Sequence, residues 1–167
     1  GTASALLALD QPSEILRGHF AQLLALVVAD HHGFGTAGAA AAIALARLGA
    51  QPWVLEKQTE TGDAICGGFL SWATLRQLAA LGIDSSDLDG QCVTRLTVHS
   101  QRRSHTIALP APAMGVSRRR LDSVMLGQAE NSGATIRRGC TVKRVAHDHL
   151  IIGDTECLPW DSLFLAS

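Results

Sequence analysis

The sequence predicts an α/β fold, and three observations carry the prediction. An apolar run from Ala21 to Ala29 leads into Gly33-Phe34-Gly35-Thr36-Ala37-Gly38, which satisfies G-x-G-x-x-G. An alanine-rich stretch, Ala39 to Leu48, reads as a helix closed by Gly49, and Trp53-Val54-Leu55 reads as the next strand. Glu56 then stands 23 residues past Gly33, where a dinucleotide-binding unit places its ribose-binding acid. Strand, glycine turn, helix, strand and acid in that order predict a Rossmann-like dinucleotide-binding sheet. Later segments add a β-meander and the start of a second, smaller β layer.

Each part of the turn has a physical task. Gly33 permits a tight turn, Gly35 lets the backbone approach a pyrophosphate, and Gly38 lets the helix pack against the strand. Phosphates are expected at the helix N-terminus, beside Thr36 and Ala37, where unpaired amide groups and the macrodipole favour negative charge. Asp30-His31-His32, between the apolar run and the glycines, breaks the pattern. A charge and two imidazoles at a buried strand end are costly unless hydrogen-bonded. Either the strand stops at Ala29 and the loop is longer, or the phosphate site is altered.

The other elements follow in order. Residues 1–20 read as a helical extension, with Pro12 near a helix start. Past Glu56 and Lys57 comes a polar loop to Asp63, then Cys66-Gly67-Gly68-Phe69-Leu70-Ser71. Ser71 is placed to cap a helix with Trp72, Leu75, Leu78 and Ala79 on one face and Gly82 as its stop. Paired glycines at Gly67 and Gly68 suggest close backbone approach to a flat or bulky group. Leu88-Asp89-Gly90 makes a turn, and residues 93–99 and 105–110 alternate as two strands around Gln101-Arg102-Arg103-Ser104. Ser117-Arg118-Arg119-Arg120 opens a further helix with Leu121, Val124, Met125 and Ala129 inside and Gly133 as its stop. Three arginines in a first turn oppose the helix dipole, which makes them candidate phosphate contacts or a solvated basic turn. Strands are expected at 134–138, 141–146, 149–152 and 162–166, the middle ones as a meander with Gly153-Asp154 in a hairpin turn.

Composition sets outer bounds. The chain has 167 residues, 47% hydrophobic and 17% charged, which suits an ordinary globular domain with a real core. A net charge of −1 gives no reason to expect nucleic acid or an anionic membrane as partner. Cys66, Cys92, Cys140 and Cys157 form no close pair, so reduced, cytoplasmic thiols are expected rather than zinc ligands or a disulfide framework. No signal peptide or transmembrane run is visible.

With those residues in view, the chain resembles the N-terminal half of FAD-dependent oxidoreductases of the p-hydroxybenzoate-hydroxylase superfamily, in its geranylgeranyl-reductase-like branch. The points of resemblance are the glycine turn, Glu56-Lys57, Cys66 to Ser71, Ser117 to Asp122, and Gly139-Cys140-Thr141-Val142. It implies FAD as cofactor, with Glu56 on the adenosine ribose and Arg118 at the pyrophosphate or ribityl region. It also implies the Val142 backbone against adenine, Gly67 and Gly68 near the isoalloxazine, and Lys57 beside the site. The implied domains are 21–89 with 114–167 for FAD and 90–113 as a hairpin of a partial substrate domain. Monooxygenase and double-bond reductase chemistry both fit, with a small aromatic or isoprenoid substrate and NAD(P)H as donor. A second flavin motif expected downstream is missing, so the chain reads as a truncated flavoprotein, incomplete for catalysis alone. No residue reads as a catalytic acid or base.

Three other readings stay open. Asp30-His31-His32 with Asp87-Leu88-Asp89-Gly90 resembles the motifs of DHH phosphoesterases, which bind paired metals, although the order of the motifs is reversed. A nicotinamide-binding domain would use Glu56 in the same way. A non-enzymatic remnant would keep the fold for self-association as a homo-oligomer.

Overall fold

The computed structural model describes residues 25–29, 35–62, 66 and 68–166. The predicted helix over 1–20, Asp30-His31-His32, Gly33 and Gly67 lie outside them. Strand β1 (Ala25–Ala29) is followed by helix α1 (Thr36–Arg47), then β2 (Trp53–Glu56) and β3 (Phe69–Leu70). Helix α2 (Trp72–Ala80) and a 3-10 turn (Ser85–Leu88) lead into the long strands β4 (Gln91–Ser100) and β5 (Arg103–Gly115). Helix α3 (Arg118–Asn131) precedes β6 (Thr135–Arg137), β7 (Val142–Val145), β8 (His149–Ile152), β9 (Glu156–Pro159) and β10 (Ser162–Ala166).

A parallel sheet in the order β10-β1-β2-β6 forms the base, with Val27 opposite both Phe164 and Val54. β2 is buried on both faces: Val54 is 0% and Leu55 1% exposed, as expected of a central parallel strand. Val54 packs with Ala39, Ala42 and Ile43 of α1 and Leu121, Met125, Leu126 and Ala129 of α3. Leu55 and Trp53 pack with Leu150, Ile152 and Leu158 of the antiparallel β7-β8-β9 meander. One sheet is thus covered by two helices on one side and by the meander on the other. Arg137 lies over the Trp53 ring at 5.7 Å and forks onto Glu156 of β9, fastening the meander to the sheet edge.

The helices end as their glycines predict. Gly49, Gly82 and Gly133 all have positive φ, and each following amide (Ala50, Ile83, Ala134) bonds back to the carbonyl five residues earlier. The starts differ more. α1 begins at Thr36 rather than Ala39, because Gly35 is its N-cap and Gly38 lies inside the first turn. Ser71 caps α2 through the Thr74 amide at 3.2 Å as predicted, but only Leu78 of its expected apolar face is fully buried, and Ala79 is exposed.

The second layer is larger than predicted. β5 runs on through Pro110 and Pro112 to Gly115, beyond the stop near 110 that the alternation implies. The register shows why prolines are tolerated. Arg95 pairs with Ala108 but Val93 with Ala113, so Leu109 to Pro112 fall in a bulge where no ladder hydrogen bond is lost. The ribbon has two unlike faces. Thr97 bonds Thr106 at 2.8 Å and His99 bonds Ser104 at 2.7 Å on one, while Leu96, Val98 and Ile107 lie on the other, all exposed. β9 is the strand that the expected hairpin turn at Gly153-Asp154 calls for, although its Cys157-Leu158 core is too short to show periodicity and mark its bounds. Among the described residues no helix is long and apolar enough to cross a membrane.

Candidate functional site

The carboxyl ends of β1 and β2 and the N-termini of α1 and α3 meet at one edge of the parallel sheet. From β1 the chain moves to β2 and β6 on one side, and β10 lies on the other, so β1 sits at the switch point where open α/β sheets bind ligands.

The first component is the mouth of α1. Gly38 and Ala39 donate to the Gly35 carbonyl at 2.9 and 3.3 Å, leaving the Thr36 and Ala37 amides ahead of the first intrahelical bond. Gly35 offers no side-chain cap and the first turn holds no acid, so no side chain of α1 itself neutralises the positive end of the dipole. Gly38 is buried within the first turn.

The second component is Glu56, the last residue of β2 and only 1% exposed. Its Oε1 accepts from the Gln58 amide at 2.8 Å, whereas Oε2 is buried with no hydrogen-bond partner among the described residues. Burial pushes the carboxyl above its ordinary range, the Gln58 amide and Arg138 pull it back in part, and the charge of Asp122 pushes it further up. A buried acceptor left unpaired is costly, so its presence needs a reason. A ribose hydroxyl would donate to it. The Glu56 carbonyl accepts from the Cys140 amide at 2.8 Å, which brings Cys140 and, two residues on, Val142 to the same corner. Val142 opens β7 opposite Ile152 and is half-buried. Lys57 is exposed on the turn beyond.

The third component is the start of α3. Ser117 caps it through the Arg120 amide at 3.2 Å. Arg118 forks onto the buried Asp122, with Nη2 at 3.2 Å from both carboxylate oxygens. Arg120 donates through Nη2 to the Asp87 carbonyl at 2.7 Å, which ties part of its guanidinium to the 3-10 turn. Sequence reasoning missed Asp122 because carboxylates one turn into a helix are commonly solvent-facing; the Arg118-x-x-x-Asp122 spacing was the available signal.

The fourth is the loop at Gly68. Its φ is +64°, and a Cβ there would lie 2.8 Å from the Val116 carbonyl oxygen, while the Val116 amide donates to the Gly68 carbonyl at 2.7 Å. Gly68 is therefore locked against the residue preceding the Ser117 cap. Cys66 is exposed, with the Gly68 amide 3.5 Å from its sulfur. Gly68→Ala should lower stability by about 1–3 kcal/mol for the left-handed backbone alone, more once the Val116 contact is relieved. A melting temperature unchanged from wild type would show that the loop can move aside.

An uncapped helix mouth, a buried acid with an orphaned oxygen and a glycine loop packed on a second helix start define a dinucleotide-binding domain. More closely, the chain matches the FAD binding domain family over residues 32–151 and belongs to it; the cofactor of that family is FAD. No curated protein matches the chain. Among solved structures it is similar to the flavin-dependent brominase Bmp2 (18% identity, TM-score 0.73, covering 87% of this chain and 38% of that one). It is also similar to 2-methyl-3-hydroxypyridine-5-carboxylic acid oxygenase in its tetrameric form (24% identity, TM-score 0.72, 85% and 38%). A third similar structure is a geranylgeranyl bacteriochlorophyll reductase-like protein from Thermoplasma acidophilum (20% identity, TM-score 0.72, 87% and 39%). The chain thus spans under two-fifths of the length of each. The resemblance to p-hydroxybenzoate-hydroxylase-type flavoproteins is upheld, and none of these findings points to a phosphoesterase.

Proposed function

We propose that this chain is the FAD-holding part of a flavin-dependent oxidoreductase and that its site is divided as follows. Glu56 accepts hydrogen bonds from the adenosine ribose, and the Val142 backbone borders the adenine. Gly33, Gly35 and the Thr36 and Ala37 amides receive the pyrophosphate, with Gly38 setting the helix against the sheet and Arg118 adding a cation. Gly67 and Gly68 border the isoalloxazine, and Lys57 stands at the rim. The observation that carries this reading is the orphaned Oε2 of Glu56, an acceptor buried with no partner among the described residues.

When bound, FAD would supply the redox chemistry, hydride transfer with double-bond reduction or oxygen activation. The protein's own part is to bind and orient it: helix amides and Arg118 against the phosphates, the carboxylate against the ribose, and apolar walls that exclude water. The domain divides into 21–89 with 114–167 for FAD and the hairpin 90–113 as the first part of a substrate domain. Exposed Leu96, Val98 and Ile107 support the second assignment, since an apolar sheet face asks for cover. The substrate class is a small aromatic or isoprenoid molecule, the donor NAD(P)H and the setting cytoplasmic. Monooxygenase and double-bond reductase chemistry both belong to this reading, since an oxygenase and a geranylgeranyl bacteriochlorophyll reductase-like protein share the fold with the chain to the same TM-score of 0.72.

An absorbance spectrum of the purified chain, before and after FAD addition and desalting, tests the reading. Retained flavin bands in the blue region are expected. A chain that stays colourless and leaves the fluorescence of added FAD unchanged would overturn it.

A further inference from the structure

We infer that Asp122 is a positioning residue for the dinucleotide, acting by fixing the guanidinium of Arg118 toward the pyrophosphate. The inference rests on the proposed placement of Arg118 and goes beyond it to a residue with no direct contact.

Asp122 is 5% exposed, in the first turn and a half of α3, with buried Leu121 and Met125 as helix neighbours. A buried carboxylate is tolerated only when paired and hydrogen-bonded, and Arg118 supplies that pairing. Helix stability does not account for the pair. Ser117 already caps α3, and an i,i+4 ion pair in itself adds little to a helix. What the pair does is set direction. Nε and Nη2 of Arg118 are spent on Asp122, at 3.2–3.4 Å, and among the described residues Nη1 has no hydrogen bond. With its side chain 22% exposed, Arg118 keeps an edge open to a ligand. The open edge stands on the helix that packs against α1, since Leu121 and Met125 share a core cluster with Ala39 and Ile43. An arginine held in one orientation loses less rotamer freedom on binding phosphate than a mobile one does.

Charge and position predict opposite signs, which makes the inference testable. If Asp122 only neutralised Arg118, Asp122→Asn would free a full positive charge and tighten phosphate binding. If it positions Arg118, the same change weakens it. The experiment titrates the full chain and its Asp122→Asn, Arg118→Ala and doubly substituted forms with FAD, ADP and adenosine. Asp122→Asn should weaken FAD and ADP by about 5–20-fold, leave adenosine unchanged, and add nothing in the Arg118→Ala background. Tighter or unchanged FAD binding in Asp122→Asn overturns the inference, as does an equal loss for adenosine. Should Asp122→Asn fail to fold, Asp122→Glu carries the same comparison, its displaced carboxylate again expected to weaken FAD and ADP but not adenosine. A wild-type chain that binds adenosine but neither ADP nor FAD overturns the phosphate site itself, a result distinct from failure of Asp122 alone.

Discussion

Glu56→Gln is expected to weaken FAD binding by about 1–3 kcal/mol, the worth of a hydrogen bond to a charged acceptor, without destabilising the ligand-free chain. The two effects separate because Glu56 is satisfied on only one oxygen when nothing is bound. Its carboxyl is held above the ordinary value of 4.5, chiefly by burial. A group whose folded value is raised contributes stability that is fully present below its unfolded value and is lost as pH rises through the folded one. Wild-type stability should therefore fall across the window above pH 4.5, while the Glu56→Gln variant escapes that part of the fall. FAD affinity should move the other way, rising with pH over the same window, because the ribose hydroxyls bond more strongly to the ionised acceptor. Fluorescence titrations and melting temperatures at several pH values check both. An unchanged dissociation constant would remove Glu56 from the site, and a lowered melting temperature in the variant at neutral pH would show a structural role.

Glu56 also shows what a sequence can carry. Its spacing from the glycines and the apolar strand before it suffice to place it at the end of β2, because strand and helix lengths in this unit are nearly fixed. That Oε2 would be left unpaired is a product of packing between distant segments, Cys140 and the meander among them, and no local pattern records it. The helix stops were legible at Gly49, Gly82 and Gly133 because each needs a left-handed backbone. The start of α1 was not, since Gly38 looks like a breaker until its place inside the first turn is known. Pro110 and Pro112 similarly hide the length of β5, because a bulge is a relation between two strands. Arg120 looks equivalent to Arg118 in sequence; only the 3-10 turn at Ser85–Leu88, more than thirty residues earlier, supplies the Asp87 carbonyl that it bonds. Elements governed by near neighbours could be read, and partners brought from far along the chain could not.

Gly35→Ala should separate fold from site at the mouth of α1. Gly35 has φ −65° and ψ 136°, extended values open to any residue, so its backbone gives no reason for a glycine. Among the described residues an added Cβ would meet nothing closer than the Ala37 amide nitrogen, at 3.9 Å. Alanine is a poorer N-cap than glycine, but it also reduces the freedom of the unfolded chain by about 0.4–1 kcal/mol, and the two nearly cancel. Melting temperature should thus change little. The methyl group, however, would stand over one of the two amides that precede the first helical bond, where a phosphate has to approach. FAD and ADP binding should weaken by roughly 10–100-fold, about 1.4–2.8 kcal/mol, while adenosine binding is kept. The contrast is with Gly68, where φ is +64° and a Cβ runs into the Val116 carbonyl, so alanine there must cost stability. If Gly35→Ala leaves FAD affinity intact, the phosphates do not pass over α1. If it lowers the melting temperature as far as Gly68→Ala does, Gly35 is a structural glycine and the space beside it is not reserved for a ligand.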